Sequence, residues 1–196
     1  SQVESTPQNP KEVLTQTSKE ILAGSFLFAN NFKDLSTNEQ NLIASEVVYF
    51  CLSVADIQAH GKLPNDKRDQ YGDILTFSTL NDFILAKLHV GEDQVEPYFN
   101  KMTEVLQHRM GVYGQCNSLM GEEGALLPPC GSMVFAFNYF VNRILNPKVK
   151  ELRVSNVLIG KEKVSDENQD AFAEFEQITE WTGNIVPILT ELKLGK

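Results

Sequence analysis

Five polar side chains that could bind a metal or move a proton follow one another along a single predicted helix. They recur at steps of three or four residues, which places them on one face of the helix: Glu46, Tyr49, Ser53, Asp56 and His60. Asp56 and His60 lie one helical turn apart, a spacing at which a carboxylate and an imidazole can bind the same metal ion. A metal site needs further ligands, and neither His89 nor His108 belongs to a second such pair. No cofactor is therefore predicted; a divalent metal at Asp56 and His60 is a minor alternative to a solvent-exposed polar face.

A second group of polar residues falls on faces that are otherwise apolar. Arg109 is in line with the apolar residues of another predicted helix, between Leu106 and Tyr113. A buried arginine requires a carboxylate partner, which Asp56 or Glu46 could provide. The cluster could bind a small ligand in a pocket between helices, or it could be an ion pair that fixes helix register; the second interpretation is favoured. The predicted pocket residues are Glu46, Asp56, His60, Arg109, Tyr113, Asn138 and Asn142.

Charge is unevenly distributed towards the C-terminus. Residues 143–163 contain six basic and two acidic residues, whereas residues 164–181 contain six acidic residues and no basic one. The acidic stretch could be a docking surface for a basic partner, formed by Asp170, Glu174 and Glu176. A solvated helix face is the favoured explanation, because most charge runs mark solvation and not recognition.

The sequence lacks the common motifs for covalent catalysis and phosphate binding. There is no Gly-x-Ser-x-Gly turn for a nucleophilic serine and no Gly-x-x-x-x-Gly-Lys loop for a phosphate. Cys116 could pair with His60 or His108, but their spacing gives that pairing no support. These absences favour a non-enzymatic protein over an enzyme.

The net charge of -9 restricts the partners of the chain. A field of this sign repels phosphate groups, so neither nucleic acid nor an anionic membrane surface is an expected partner. The longest apolar stretch, residues 133–145, is too short to span a bilayer, which requires about 20 residues. Three widely spaced cysteines without a Cys-x-x-Cys pair predict buried thiols, and therefore favour a reducing compartment and a cytoplasmic location.

Hydrophobic periodicity predicts helices along most of the chain. Apolar residues recur at helical spacing over residues 10–26, 37–60, 65–90, 92–120 and 133–145. Ser36 and Glu39 form a capping-box pattern at the start of the second helix. Gly61 is expected to end this helix in a left-handed conformation, and Gly91 is expected to end the third helix. Further helices are predicted at 165–182 and 184–192, while residues 149–159 could be helical or extended. Residues 1–9 are expected to form a disordered leader and residues 121–130 a loop.

These elements predict an all-α fold. Residues 10–196 are expected to form a single domain, an antiparallel bundle of about six or seven helices. The helix at 133–145 is apolar on nearly all sides, which predicts that it lies at the centre of the bundle. Gly111 and Gly114 would allow a kink in the fourth helix.

The residues and their pattern favour one class of function over another. The leading hypothesis is a non-enzymatic helical domain, a scaffold or regulator, that binds another protein and could form a homodimer. The alternative is a helical-bundle enzyme or binding protein that holds a small ligand or a metal in a polar pocket between helices.

Overall fold

The computed structural model describes residues 10–119 and 130–146. This part of the chain is all-α, as the sequence predicts, and contains no strand. Its helices are α1 (Pro10–Ala29), α2 (Thr37–Lys62), α3 (Asn65–Lys87), α4 (Val95–Leu119) and α5 (Cys130–Leu145), with a 3-10 turn at Glu92–Gln94 before α4. The predictions for residues 1–9, for most of the loop at 121–130 and for residues 149–192 lie outside the described residues.

The start of α2 follows the predicted capping box. The Ser36 hydroxyl accepts a hydrogen bond from the Glu39 amide at 3.2 Å, and the Glu39 carboxylate accepts one from the Ser36 amide at 3.0 Å. Two amide groups that the helix leaves without intrahelical partners are therefore satisfied by side chains. The prediction of this helix start is confirmed.

Two predicted helix ends are wrong. The left-handed stop expected at Gly61 does not occur, because α2 continues to Lys62 and ends where Leu63 becomes extended, with φ -116° and ψ 146°. The following Pro64 disfavours helical geometry in the residue before it. The end of α3 was expected at Gly91, but the helix stops at Lys87 and His89 adopts the left-handed conformation, with φ 49°.

The centre of the described fold is α2. Every residue from 43 to 55 is buried, and α2 packs against α1, α3, α4 and α5. The sequence predicts the central position for the helix at 133–145; among the described residues α5 packs on α2 and α4, with residues 136–142 buried. Side chains from all five helices form one hydrophobic core, and α4 passes through Gly111 and Gly114 without a break in the helix.

One helix of the described residues is long and apolar enough to cross a membrane by length and composition. It spans Thr37–His60, with a mean hydropathy of 1.5 over its most apolar window. Of that window, 78% is buried inside the fold, and the core helix of a folded domain passes the same test. In the sequence, residues 133–145 form the longest apolar stretch, and the apolar character of α2 is less apparent because polar residues interrupt it.

Candidate functional site

The predicted arginine–carboxylate pair forms between α2 and α4. Arg109 donates two hydrogen bonds from Nε to Glu46, at 2.9 and 3.2 Å, and one from a terminal nitrogen at 2.6 Å. The side chain of Glu46 is 7% exposed and that of Arg109 is 17% exposed. Of the two carboxylates that the sequence offered as partners, the structure therefore selects Glu46, in a bidentate geometry that arginine alone provides.

Aromatic rings surround this ion pair, which we call the Glu46–Arg109 pair. The guanidinium of Arg109 lies 3.8 Å from the ring centre of Phe140, a cation–π contact with α5. Tyr113 packs edge-on against Phe50 of α2 and Phe140 of α5, with ring centres 5.4 and 6.0 Å away. Arg109 also lies 2.8 Å from Nδ1 of His108, which is exposed. The pair thus joins three helices at one level of the fold.

The contacts along α2 and α4 show that these helices run in the same direction. Glu46 contacts Arg109, and Phe50, one turn later in α2, contacts Tyr113, one turn later in α4. A shift of α4 by one turn would remove both contacts together, since residues four apart lie on one face of a helix. The Glu46–Arg109 and Phe50–Tyr113 contacts therefore form together in the observed register of the two helices.

Burial and the charges of the pair alter the pKa of the groups beside it. Burial raises the pKa of Tyr113 far above its usual value, and the negative charge of Glu46 raises it further, although Arg109 opposes this. Burial and the charge of Glu46 likewise raise the pKa of Tyr49. For Arg109, burial alone would lower the pKa, but the hydrogen bond and charge of Glu46 outweigh it and raise the pKa. Both tyrosines are therefore neutral and the arginine is charged at physiological pH.

Two polar atoms of the predicted pocket residues, one on α4 and one on α5, are buried without a hydrogen-bond partner among the described residues. They are the hydroxyl oxygen of Tyr113, on a fully buried side chain, and Oδ1 of Asn138, on a residue that is 7% exposed. The neighbouring Asn142 donates from Nδ2 to the backbone carbonyl of Asn138 at 2.8 Å, within α5. Buried polar atoms of this kind are rare, because each costs about 1–3 kcal/mol when it has no partner.

Asp56 and His60 lie away from the Glu46–Arg109 pair, close to the start of α3. Both contact the same cation, the guanidinium of Arg68: its Nε is 3.6 Å from the Asp56 carboxylate, and one terminal nitrogen meets Nδ1 of His60. No group of three or more metal-binding side chains occurs among residues 10–119 and 130–146. The structure therefore divides the predicted pocket residues between two places instead of bringing all of them together.

The sequence favoured a solvent-exposed face over a metal site for the polar row on α2, but the structure shows that this row is only partly exposed. Glu46, Tyr49 and Ser53 are buried, whereas Asp56 is half-buried and His60 exposed. Ser53 donates a hydrogen bond to the carbonyl of Tyr49 at 2.7 Å, one turn earlier in the same helix. The first half of this face is buried because α4 covers it, whereas the second half faces solvent.

An exposed apolar surface on α3 and α4 was not identified from the sequence. Four of the six large hydrophobic side chains that are exposed in the described residues belong to these two helices. Their exposed fractions are 41% for Ile74, 60% for Phe77, 49% for Leu85 and 41% for Tyr98. Phe77 contacts Phe99 of α4 edge-on, with ring centres 5.6 Å apart, and so links the two helices. We call the surface formed by Ile74, Phe77, Leu85 and Tyr98 the α3–α4 surface.

Comparison with known proteins adds no functional assignment. No protein-family model, no curated protein and no solved structure matches the chain. The partner surface predicted at Asp170, Glu174 and Glu176 lies outside the described residues. Within residues 10–119 and 130–146, the candidate sites are the Glu46–Arg109 pair with the unpartnered hydroxyl of Tyr113 nearby, the Asp56–Arg68–His60 cluster and the α3–α4 surface.

Proposed function

We propose that this chain is a non-enzymatic helical domain that binds another protein through the α3–α4 surface. The observation that carries the proposal is the exposure of three large apolar side chains on one helix, α3, together with Tyr98 of α4, whose neighbour in sequence, Phe99, contacts Phe77. Single exposed hydrophobic residues are normal in proteins, but neighbouring ones that form a patch are typical of binding sites. Covering the exposed part of each side chain would contribute about 1 kcal/mol.

The other candidate sites support a structural role better than a catalytic one. Glu46 and Arg109 satisfy each other's charge and hydrogen bonds, and the guanidinium packs on the ring of Phe140, so both groups are already occupied by contacts within the fold. Arg68 already neutralises Asp56 and contacts His60. Catalytic carboxylates and histidines must instead reach a substrate directly or through one water molecule.

The proposal is tested by capture of a partner from the native cell with matched variants. The double variant Phe77→Ser/Leu85→Ser removes the apolar contacts of the α3–α4 surface. The double variant Leu27→Ser/Leu42→Ser removes two leucines that are at least as exposed, at 70% and 54%, on α1 and α2. We expect the first variant to lose the partner and the second to retain it, with unchanged circular dichroism spectra. Equal capture by both variants would refute the proposed surface.

The acidic residues Asp170, Glu174 and Glu176 remain a second predicted contact for a partner. Charge reversal at Glu174 and Glu176 should weaken capture if they contribute, and leave it unchanged if they form a solvated helix face. The net charge of -9 supports the expectation that the partner is neither nucleic acid nor an anionic membrane surface. A cytoplasmic location remains a prediction, which imaging of the chain with a fluorescent tag would test.

We also propose that the helices predicted at 165–182 and 184–192 complete an antiparallel bundle of six or seven helices. Short connections between α2 and α3 and between α3 and α4 support this arrangement, because they reverse the chain direction each time. The five described helices comprise a little more than half of the chain. Circular dichroism of the full chain should therefore indicate a helical content well above half; a content near half would contradict the proposal.

A second candidate function is the binding of a small polar ligand between α2, α4 and α5. The unpartnered hydroxyl of the fully buried Tyr113 favours it, because a ligand could satisfy this atom. Tyr113→Phe distinguishes a bound ligand from an empty site by the direction in which the free energy of unfolding changes. If nothing binds the hydroxyl, its removal should stabilise the protein or leave it unchanged; if a ligand binds there, its removal should destabilise the purified protein by about 1–2 kcal/mol in urea unfolding.

The metal alternative at Asp56 and His60 has a direct measurement. Elemental analysis of the purified protein would detect a stoichiometric divalent metal, and Asp56→Ala and His60→Ala would each remove it. Because Arg68 contacts both residues, we expect the metal content to be below stoichiometric and unchanged by either substitution. Stoichiometric metal that is lost in both variants would overturn the non-enzymatic assignment.

A further inference from the structure

The shape of the α3–α4 surface matches the length and width of one helix. Ile74 and Leu85 are eleven positions apart, which corresponds to about 16 Å along a helix axis, or three turns. With about 100° between successive residues, Ile74, Phe77 and Leu85 fall within about 80° of each other around α3. They form a narrow stripe that runs along α3, with a length that the apolar face of a partner helix with anchors at i, i+3 or i+4, and i+7 would cover.

Acidic side chains border this stripe on both sides. Asp66 and Asp73 lie about 70–90° from its midline in one direction, and Asp82 lies about 90° away in the other. All three are exposed. Any helix that rests on the apolar stripe would therefore place its two polar edges next to carboxylates.

The excess of acidic residues extends over the whole of α3 and the first half of α4. Residues 65–104 carry eight exposed acidic residues and two exposed basic ones: Asp66, Asp69, Asp73, Asp82, Glu92, Asp93, Glu96 and Glu104, against Lys67 and Lys101. The two salt bridges of the described residues use Glu46 and Asp56 and none of these eight acids. Lys87 lies over the ring of Phe26 of α1, at 4.1 Å, and not on the α3–α4 surface. The acidic residues are therefore available to a partner.

The charge of this surface selects among its possible occupants. A second copy of the chain would bring two acidic surfaces together, and like charges oppose such a contact. A neutral or acidic helix would gain the apolar contacts but no attraction at its edges. A basic amphipathic helix gains both, and the field of the surface would also speed its association at low ionic strength.

We propose that the α3–α4 surface binds an amphipathic helix of a partner protein, at least three turns long, with lysine and arginine along both edges of its apolar face. Phe77 and Leu85 supply the apolar contacts, and Asp73 and Asp82 attract the basic edges. The inference rests on the proposed protein-binding function and adds the chemical class of the partner segment.

The test uses the full chain and a synthetic fluorescent peptide of about 18 residues, with leucine at helical spacing and lysine elsewhere. A control peptide replaces every lysine with glutamate and keeps the leucines. We expect the lysine peptide to bind with a Kd of about 10 µM or lower in fluorescence anisotropy at about 0.05 M salt, and at least tenfold more weakly at about 0.3 M salt. The glutamate peptide should bind at least tenfold more weakly at both concentrations.

Two pairs of variants separate the surface from general electrostatic attraction. Phe77→Ser/Leu85→Ser should weaken binding of the lysine peptide at least tenfold, whereas Leu27→Ser/Leu42→Ser should not change it. Asp73→Asn/Asp82→Asn should weaken binding about threefold or more, whereas neutralising the exposed Glu12 and Asp34, as Glu12→Gln/Asp34→Asn, should leave it unchanged. Each comparison changes the same number of apolar groups or charges, so the overall charge of the protein cannot explain a difference.

The remaining outcomes overturn the inference in distinguishable ways. Equal losses in both charge variants would show non-specific attraction. If the lysine peptide does not bind but the native partner still depends on Phe77 and Leu85, the basic-helix inference fails and the protein-binding function stands. If capture of the native partner requires neither Phe77 nor Leu85, both the basic-helix inference and the protein-binding function of this surface fail. A dimer in sedimentation equilibrium that Phe77→Ser/Leu85→Ser dissociates would identify a second copy as the occupant instead.

Discussion

Removal of the arginine from the Glu46–Arg109 pair should destabilise the protein strongly. In Arg109→Met the methionine keeps an apolar stem of similar length, while Glu46 loses all three hydrogen bonds and its opposite charge. The Glu46 side chain is only 7% exposed, so water cannot replace the guanidinium without a rearrangement of α2 and α4. Breaking a buried pair in this way costs about 3–5 kcal/mol. That is a large fraction of the roughly 5–15 kcal/mol that stabilises a typical domain.

The double variant distinguishes the charge from the packing. In Glu46→Leu/Arg109→Met no charge remains, and buried pairs replaced by apolar residues of similar size are about as stable as the original. We therefore expect the double variant to lie within about 1 kcal/mol of the wild type, and well above Arg109→Met. Arg109→Lys should be intermediate, because a lysine cannot make the bidentate contact. Arg143→Met, at an exposed position on α5, serves as the control and should change stability by less than about 0.5 kcal/mol.

Urea unfolding followed by far-UV circular dichroism measures these differences, provided that the m-value is the same in all variants. A loss below about 1 kcal/mol in Arg109→Met would mean that Glu46 reaches solvent, and would refute the assignment of a buried pair. A double variant that is as unstable as Arg109→Met would mean that the side chains act through shape and not through charge.

Three further predictions concern local features. Burial raises the pKa of Cys116 from 9.0 to about 11, so the folded thiol stays protonated while the unfolded one ionises. The free energy of unfolding should be unaffected by this group well below pH 9 and should fall by roughly 2 kcal/mol between pH 9 and 11, and Cys116→Ala should reduce that fall in urea unfolding. His89→Gly should stabilise the protein by about 0.5–1 kcal/mol, because a left-handed φ strains histidine and not glycine. As the control, Ala86→Gly in the exposed last turn of α3 should destabilise the protein by about as much, because glycine has a low helix propensity. Ser36→Ala should cost about 1 kcal/mol through loss of the α2 cap, and Thr37→Ala, at the exposed next position, should cost clearly less; equal effects of the two would contradict the role of the cap.

The buried ion pair shows what could and could not be predicted about the site. The placement of Arg109 on an apolar helix face was readable from its spacing to Leu106 and Tyr113, and it required a carboxylate partner. The choice between Asp56 and Glu46 depends on which turns of α2 and α4 lie at the same level. No local pattern encodes that level, because contacts between residues 63 positions apart set it.

Two serines show how α2, a helix with a polar face, is buried in the described part of the chain. The sequence ranks residues 133–145 as the more central helix because they are apolar on nearly all sides, whereas α2 carries Glu46, Tyr49 and Ser53. Ser45 and Ser53 donate to carbonyl groups of their own helix, each at 2.7 Å, so that both are buried with their hydroxyls satisfied. Local bonds of this kind let a helix with a polar face lie at the centre.

The α3–α4 surface was missed because α3 has apolar residues on two sides. Leu75, Leu80 and Phe83 are buried and face the core. Ile74, Phe77 and Leu85 have the same residue types and also fit helical spacing, so the sequence does not separate the two sets. Only the positions of α1, α2 and α4 around α3 determine which set is covered.

The buried ion pair and the exposed apolar stripe on α3 have different explanations. An apolar pair could replace Glu46 and Arg109 at little cost in stability, but it would not penalise a shifted register between α2 and α4, which is the role that we propose for the charges. The apolar stripe on α3 contributes little to the core of the described residues, because its side chains are between 41% and 60% exposed. Polar residues would be more soluble there at no cost to that core. The exposed apolar side chains therefore support the proposed binding function, and make the α3–α4 surface, and not the buried pair, the place where that function should first be tested.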